Sequence, residues 1–234
     1  TLFPGDCKNN DLICLIEPWQ ILSQRPHHKK KVLLILASMR CFAKQLESQG
    51  WQVRYYALKS SWQENKDFES QSLVELLKEY ECDRAIVQNP EDYYQKEFWD
   101  TLITSQNLSI TFLENNLFLT TKQEFSHWAL NRRELTMEYF YRINRKKWSI
   151  LMDKDKPVGG QWNYDKDNQK KAPRTLPLIQ PFRAQYSPDQ SSQIQQVKKL
   201  IDKVFPNYYG SIDDFHFALC QDQALKSLEY FIEN

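Results

Sequence analysis

Three consecutive stretches, 12–17 (LICLIE), 28–49 (HKKKVLLILASMRCFAKQLESQ) and 51–58 (WQVRYYAL), decide how this chain folds. The first is a short apolar run closed by a carboxylate, the pattern of a strand covered on both faces. In the second, Val32, Ile35, Leu36, Met39, Phe42, Ala43 and Leu46 recur at helical spacing, and Gly50 supplies the left-handed residue that ends a helix. The third alternates and is rich in β-formers. A strand, a long helix and a strand in that order predict a parallel crossover unit.

The pattern continues in both directions. Residues 1–3 (TLF) read as the stub of a preceding strand. Ser72 and Glu75 have capping-box spacing ahead of an apolar helix. Residues 84–88 (RAIVQ) form a strand, Asn89-Pro90 pairs an N-cap with Pro at the first helical position, and 108–113 (LSITFL) is a last strand. The expected fold is α/β, with a Rossmann-like, mainly parallel five-stranded sheet and flanking helices over residues 1–120. The carboxyl ends of its strands, which face the ligand crevice in such sheets, carry Gly5-Asp6, Glu17, Lys59-Ser60, Asn89 and Glu114-Asn115.

Beyond it, 121–131 and 135–148 read as connecting helices in a 121–152 segment. Residues 153–190 hold five of the ten prolines and Gly159-Gly160, and predict an extended linker anchored by Trp162, Tyr164, Leu176, Leu178, Ile179 and Phe182. Helices at 187–204 and 221–232 place the start of a second, helical unit at 191–234, one that the chain is expected not to complete.

Composition bounds the function. A net charge of +1 leaves any electrostatic partner to be read from local clusters. Five cysteines, an odd number with no CxxC, read as reduced thiols of a cytoplasmic protein rather than a disulfide framework or zinc site. No apolar run reaches the roughly 18 residues of a membrane span, and no leader is visible. With five glycines, neither GxGxxG nor GxxxxGK[ST] can be built.

Three groups of residues could carry chemistry. His28, Lys29 and Lys30 open the long helix, where cations oppose the macrodipole and invite an anion; a solvated basic turn is the plainer reading. Arg142, Arg145, Lys146 and Lys147 follow the aromatic run Tyr139-Phe140-Tyr141. Cations interleaved with rings suit a nucleic-acid surface, or else an interface helix whose cations pair with Glu134, Glu138 and Asp153. Asp6 and Glu17, on neighbouring strand ends, could accept hydrogen bonds from a ligand or serve as local caps. No catalytic residue and no metal set emerges.

The stretches 27–46 (HHKKKVLLILASMRCFAKQL), 135–142 (LTMEYFYR), 151–171 (LMDKDKPVGGQWNYDKDNQKK) and 205–210 (FPNYYG) together resemble the bacterial photolyase-related proteins. These are the iron–sulfur branch of the cryptochrome/photolyase family, which includes (6-4) photolyases, and the likeness runs from end to end of the chain. It implies an N-terminal antenna-domain portion of a flavoprotein for light-driven DNA photoproduct repair or blue-light sensing. In that family the α/β domain holds a lumazine-type antenna. A helical domain, here missing, holds FAD and an iron–sulfur cluster ligated by four cysteines. The implied antenna contacts are Gly5, Asp6, Cys7, Glu17 and Ile35. Where lumazine-binding members carry a cysteine and a glutamate, this chain has Ile16 and Ile21. The implied partners are the C-terminal helical domain and, for the whole protein, DNA, with no membrane; the MEYFYR helix and the GGQWNYD segment are implied to join the two domains. Read without the resemblance, the same residues also suit a stand-alone module binding a flavin, lumazine or nucleotide, or a scaffold that contacts nucleic acid or protein.

Overall fold

The structure, a computed structural model, describes residues 11–59, 68–80, 85–169, 171, 175 and 179–234. They group into two compact units, one from residues 1–81 with 178–234 and one from residues 82–177.

In the first unit, β1 (Leu12–Ile16) and β2 (Gln52–Tyr56) pair in parallel, from Leu12 opposite Gln52 to Ile16 opposite Tyr56. The Glu17 N–H extends the ladder to the Tyr56 carbonyl at 3.0 Å. A five-residue helix, α1 (Trp19–Ser23), follows Pro18; it has too few residues to show a period in the sequence. The long α2 (Lys29–Ser48) then crosses back and ends at Gly50, whose φ is 87°. α2 buries Leu33 and Ala37 as well as the expected Val32, Leu36, Ala43 and Leu46. The buried stripe is wide because α2 meets β2 and also α8 (Pro188–Val204). Ile194, Val197 and Ile201 of α8 close the core with Trp19, Leu22, Leu58, Phe68 and Phe205. Each such fully buried aliphatic contributes about 1.5–3 kcal/mol. α8, read in the sequence as opening a second helical unit, thus shares the core of α2. It starts with a capping box between Ser187 and Gln190 and with Pro188 in its first turn. α9 (Gln221–Glu233) closes the chain.

Between α8 and α9, the NYYG turn seals the head of α2. The Lys29 N–H donates to the Tyr209 carbonyl at 2.9 Å, and the Tyr208 hydroxyl donates to the Leu22 carbonyl at 2.5 Å. Gly210 has φ 84°, and a Cβ there would fall inside the His28 ring. Gly210→Ala therefore incurs the left-handed penalty and a clash together. A loss of about 2 kcal/mol in urea unfolding is expected. Adding His28→Ala should return part of that loss; a Gly210→Ala protein as stable as wild type would contradict the packing described.

α3 (Phe68–Glu79) begins one turn before the expected capping box. Ser72 is buried inside the helix rather than capping it, and residues 60–67, where the cap would lie, are outside the described residues.

In the second unit, β3 (Ala85–Gln88) and β4 (Ile110–Leu113) are again parallel, with Ala85 opposite Ile110 and Gln88 opposite Leu113. α4 (Tyr93–Gln106) is capped by Asp92, whose side chain accepts from the Gln95 N–H at 2.9 Å. The expected cap, Asn89, is occupied otherwise: its N–H prolongs the ladder to the Leu113 carbonyl at 2.8 Å. α5 (Lys122–Ala129) has a full capping box between Thr121 and Glu124, and α6 (Met137–Trp148) follows. The expected linker is partly ordered. β5 (Met152–Asp153) and β6 (Lys156–Pro157) form an antiparallel hairpin, followed by a 3-10 turn at Val158–Gly160 and the one-turn α7 (Asp165–Asn168).

The chain is thus a mixed α/β protein in which the described strands form two-stranded sheets. A continuous five-stranded sheet is not seen among them, and the expected strand at 1–3 lies outside the described residues. No helix among the described residues is long and apolar enough to cross a membrane.

Candidate functional site

Glu17 follows directly on β1, and its side chain is 0% exposed. Arg40, on the fourth turn of α2, donates through Nε to Oε1 at 2.7 Å and through Nη2 to Oε2 at 3.3 Å. The Tyr55 hydroxyl of β2 donates to Oε1 at 2.8 Å, and the Leu58 N–H donates to Oε2 at 2.6 Å. Burial pulls the Arg40 pKa down, but its hydrogen bond and charge contact with Glu17 outweigh this and leave it raised. Burial first, then the Glu17 charge, drives the Tyr55 phenol far above its ordinary value. Both carboxylate oxygens are taken by protein donors, so Glu17 binds strand, helix and following loop together and has no face left for a chromophore. Ile35 packs half-buried against the core. Gly5, Asp6 and Cys7 lie outside the described residues. Of the implied antenna contacts the structure describes Glu17, bonded within the protein, and Ile35, which is apolar.

At the head of α2, His28 is the N-cap, and its Nδ1 accepts from the Lys30 N–H at 3.0 Å. The Lys31 N–H bonds the His28 carbonyl at 2.8 Å, and the Lys29 N–H is held by Tyr209. The Lys29 ammonium lies 3.8 Å from Asp202. Asp214, lowered in pKa chiefly by the Arg183 hydrogen bond, also feels Lys30. The first amides of the helix and its cations are answered by the protein's own carbonyls and carboxylates.

The second unit holds a cavity, an open groove of about 1280 Å³ between α5, α6 and the strap of residues 158–165. Phe118, Phe125, Met137, Phe140, Tyr141 and Trp162 form much of its wall. Of the four cations singled out in the sequence, Arg145 lines it, and Arg142 and Lys146 lie over Trp162 of its wall. Arg142 Nε donates to Glu138 at 2.8 Å, and Lys147 meets Glu124 at 2.5 Å. Of the three carboxylates expected to pair with this helix, the ion pairs seen use Glu138, and Glu124 takes the place of Glu134 and Asp153. Arg142, Arg145 and Lys146 lie 5.3, 5.5 and 5.5 Å from the centroid of the Trp162 ring. Such contacts are worth about 0.5–1 kcal/mol when exposed and more when dry.

Arg145 is 6% exposed. Its Nε donates to the Ile150 carbonyl at 3.1 Å and Nη1 to the Trp162 carbonyl at 3.1 Å, while Nη2 bonds the Leu151 carbonyl. It thus ties α6 to the hairpin and the strap, a role its position in a basic run does not announce. No sequence signal announces it: Ser149 and Leu151, residue types without a left-handed preference, adopt φ of 53° and 52° just downstream. Phe125, Trp128 and Phe140 pack together, tilted or edge-on, with ring centroids 4.7–5.7 Å apart.

Chemically the arrangement can bind; among the described residues no three His, Cys, Asp or Glu side chains could hold a metal ion. Cys41 and Cys220 are free thiols, and these two and Cys14 are half-buried.

Comparison with known proteins follows the same end-to-end pattern. A family model described as deoxyribodipyrimidine photo-lyase-related protein matches residues 2–217. A protein of Agrobacterium fabrum named (6-4) photolyase is 30% identical over 230 residues, which cover 98% of this chain and 44% of that protein. An uncharacterized protein of Acanthamoeba polyphaga mimivirus is 28% identical over 151 residues, 62% of this chain and 73% of its own length. The chain therefore spans less than half the length of the photolyase that it matches. With nearly all of its residues under one family model, the chain belongs to the deoxyribodipyrimidine photo-lyase-related protein family.

Proposed function

We propose that residues 1–234 are the N-terminal, antenna-side portion of a photolyase/cryptochrome-like flavoprotein that repairs DNA photoproducts with light. The observation that carries this reading is the match of 98% of the chain to a protein named (6-4) photolyase. The reading divides the labour, with the reaction carried out elsewhere in a longer polypeptide. In that division FAD, and an iron–sulfur cluster if one is present, is held by residues outside this chain, and the flavin supplies the electron for repair. Polar contacts to an antenna would come from Gly5, Asp6 and Cys7, with Glu17 reserved for holding β1, α2 and β2 in place. A cytoplasmic setting, beside the DNA, belongs to the same proposal.

The test is to express the complete gene product, record its absorption, and irradiate it with an oligonucleotide carrying one (6-4) photoproduct. Flavin absorption with light-dependent, dark-silent loss of the lesion is the expected result. A flavin-loaded protein inactive on both (6-4) and cyclobutane lesions would replace repair with blue-light sensing. A reading frame that stops after Asn234, with no flavin retained, would favour the stand-alone module.

A further inference from the structure

Two thiols, Cys41 and Cys220, are brought to the same place beside the first turn of α8. The Lys29 ammonium at the head of α2 lies 3.8 Å from Asp202 in the last turn of α8, and the Lys29 N–H reaches the Tyr209 carbonyl just beyond it, so the two helices run antiparallel. Both rise about 1.5 Å per residue. Twelve residues on from Lys29 stands Cys41, and twelve residues back from Asp202 stands Gln190, so these two positions share one level of the helix pair. Cys41 packs half-buried against the core that α2 and α8 build together.

From the same level the Gln190 side-chain amide donates to the Cys220 Sγ at 3.9 Å. Cys220 is the N-cap of α9, and its side chain makes no capping bond to that helix. The head of α9 is otherwise held by Gln223, whose amide donates to the Gln185 carbonyl at 2.6 Å and to Gln190 Oε1 at 3.0 Å. The electrostatics of Cys41 agree with the register. Burial first, then the neighbouring Cys220, raises its thiol pKa; Lys44 opposes this and Asp189, next to Gln190, adds to it. All of these groups belong to one compact unit, that of residues 1–81 with 178–234.

We propose that Cys41 and Cys220 are a redox pair, which a hydroperoxide converts into a disulfide locking the head of α9 to the middle of α2, and which a small thiol reopens. Reduced cytoplasmic proteins use disulfides in this transient way. In the first step the Cys220 thiolate attacks a peroxide oxygen and the O–O bond breaks. With hydrogen peroxide this leaves a sulfenic acid on Cys220 and a hydroxide that takes up a proton as water. The Cys41 sulfur then attacks the Cys220 sulfur: the S–S bond forms, the S–O bond breaks, and the departing hydroxide leaves as a second water with the Cys41 proton. The thiol pair loses two electrons and the peroxide gains them. Cys41, kept protonated by burial, is the resolving partner, and Cys220 is the thiol that meets the oxidant.

The test treats the complete gene product with a small excess of hydrogen peroxide, alkylates the remaining thiols and maps the peptides by mass spectrometry. A peptide joining Cys41 to Cys220 should appear with peroxide and vanish with dithiothreitol. Amide hydrogen exchange over residues 220–224 should slow in the oxidised form and recover on reduction. Cys41→Ser should lose the link and leave a Cys220 sulfenic acid that dimedone traps. Cys220→Ser should lose the link with no dimedone adduct on Cys41. Serine is a favoured N-cap residue, so that second variant keeps α9, which circular dichroism checks. Three results would overturn the proposal: both thiols still alkylated after peroxide, either one linked to a different cysteine, or dimedone trapped on Cys41 in the Cys220→Ser protein.

Discussion

Glu17→Ala should cost about 3–5 kcal/mol of folding stability, the range for breaking a buried ion pair from one side. The loss is large because four donated hydrogen bonds end on this one carboxylate. Removing it leaves the Arg40 guanidinium, only 13% exposed at its side chain, with no counter-ion. It also orphans the Tyr55 hydroxyl and the buried Leu58 N–H, each worth about 1–3 kcal/mol when unsatisfied. Glu17→Gln keeps the shape but removes the charge, and should fall between wild type and alanine. Glu17→Leu combined with Arg40→Met should recover much of the loss, since well-packed apolar replacements of a buried pair are often neutral. Urea denaturation of the four proteins measures the series. A Glu17→Ala protein within about 1 kcal/mol of wild type would mean that the carboxylate is not the clamp described.

The same cluster sets an alkaline limit. The Tyr55 phenol has a folded pKa raised above its unfolded value near 10. The folded state therefore holds a proton that the unfolded chain gives up first. Stability from this source is complete below about pH 10 and declines as pH climbs above it. Tyr186, pushed by burial to about 12, acts in the same direction.

Long elements were legible in the sequence because their periods repeat. α2, α6 and α8 show apolar spacing over three turns or more, and the strands from β1 to β4 were each found within a few residues. What failed was whatever depends on a remote partner. Asn89-Pro90 has good cap chemistry, yet the ladder with Leu113, far along the chain, claims the Asn89 amide, and Asp92 takes the cap. Ser72 has the right offset to Glu75, but the helix already has its first turn at Phe68. The β5–β6 hairpin has two residues per strand, below the length at which alternation can be read. The site divides similarly. Glu17 was visible as an unusual carboxylate at the end of an apolar run, but Arg40 and Tyr55, 23 and 38 residues away, were not visible as its partners. A carboxylate facing a ligand and one facing an arginine look alike in one dimension. The cations of α6 were visible as a cluster; that Arg145 turns inward while Lys146 stays at the rim is decided by the backbone of residues 149–162.

That inward turn gives Arg145→Ala the second large effect, a loss of about 3 kcal/mol in the unit formed by residues 82–177. Hydrogen bonds from a charged donor contribute about 1.5–3 kcal/mol each, and three carbonyls, those of Ile150, Leu151 and Trp162, depend on this guanidinium. Leu151 adds to the cost, because its left-handed backbone, unfavourable by about 1–2 kcal/mol for a non-glycine residue, is held by the bonds its carbonyl accepts from Arg145 and from the Val158 N–H. Arg145→Lys keeps the charge but replaces a planar fork by a single ammonium, which cannot reach carbonyls on both the hairpin and the strap; it should recover less than half of the loss. Limited proteolysis distinguishes a local from a general effect. Cleavage within residues 149–162 should accelerate in Arg145→Ala ahead of cleavage in α8, whose core lies in the other unit. Because Trp162 forms a wall of the groove, its fluorescence should shift toward that of a solvated indole in the same variant. If the strap resists protease as in wild type and the indole signal is unmoved, the guanidinium is not what holds the groove open, and its shape must come from the packed rings of Phe125, Trp128 and Phe140 alone.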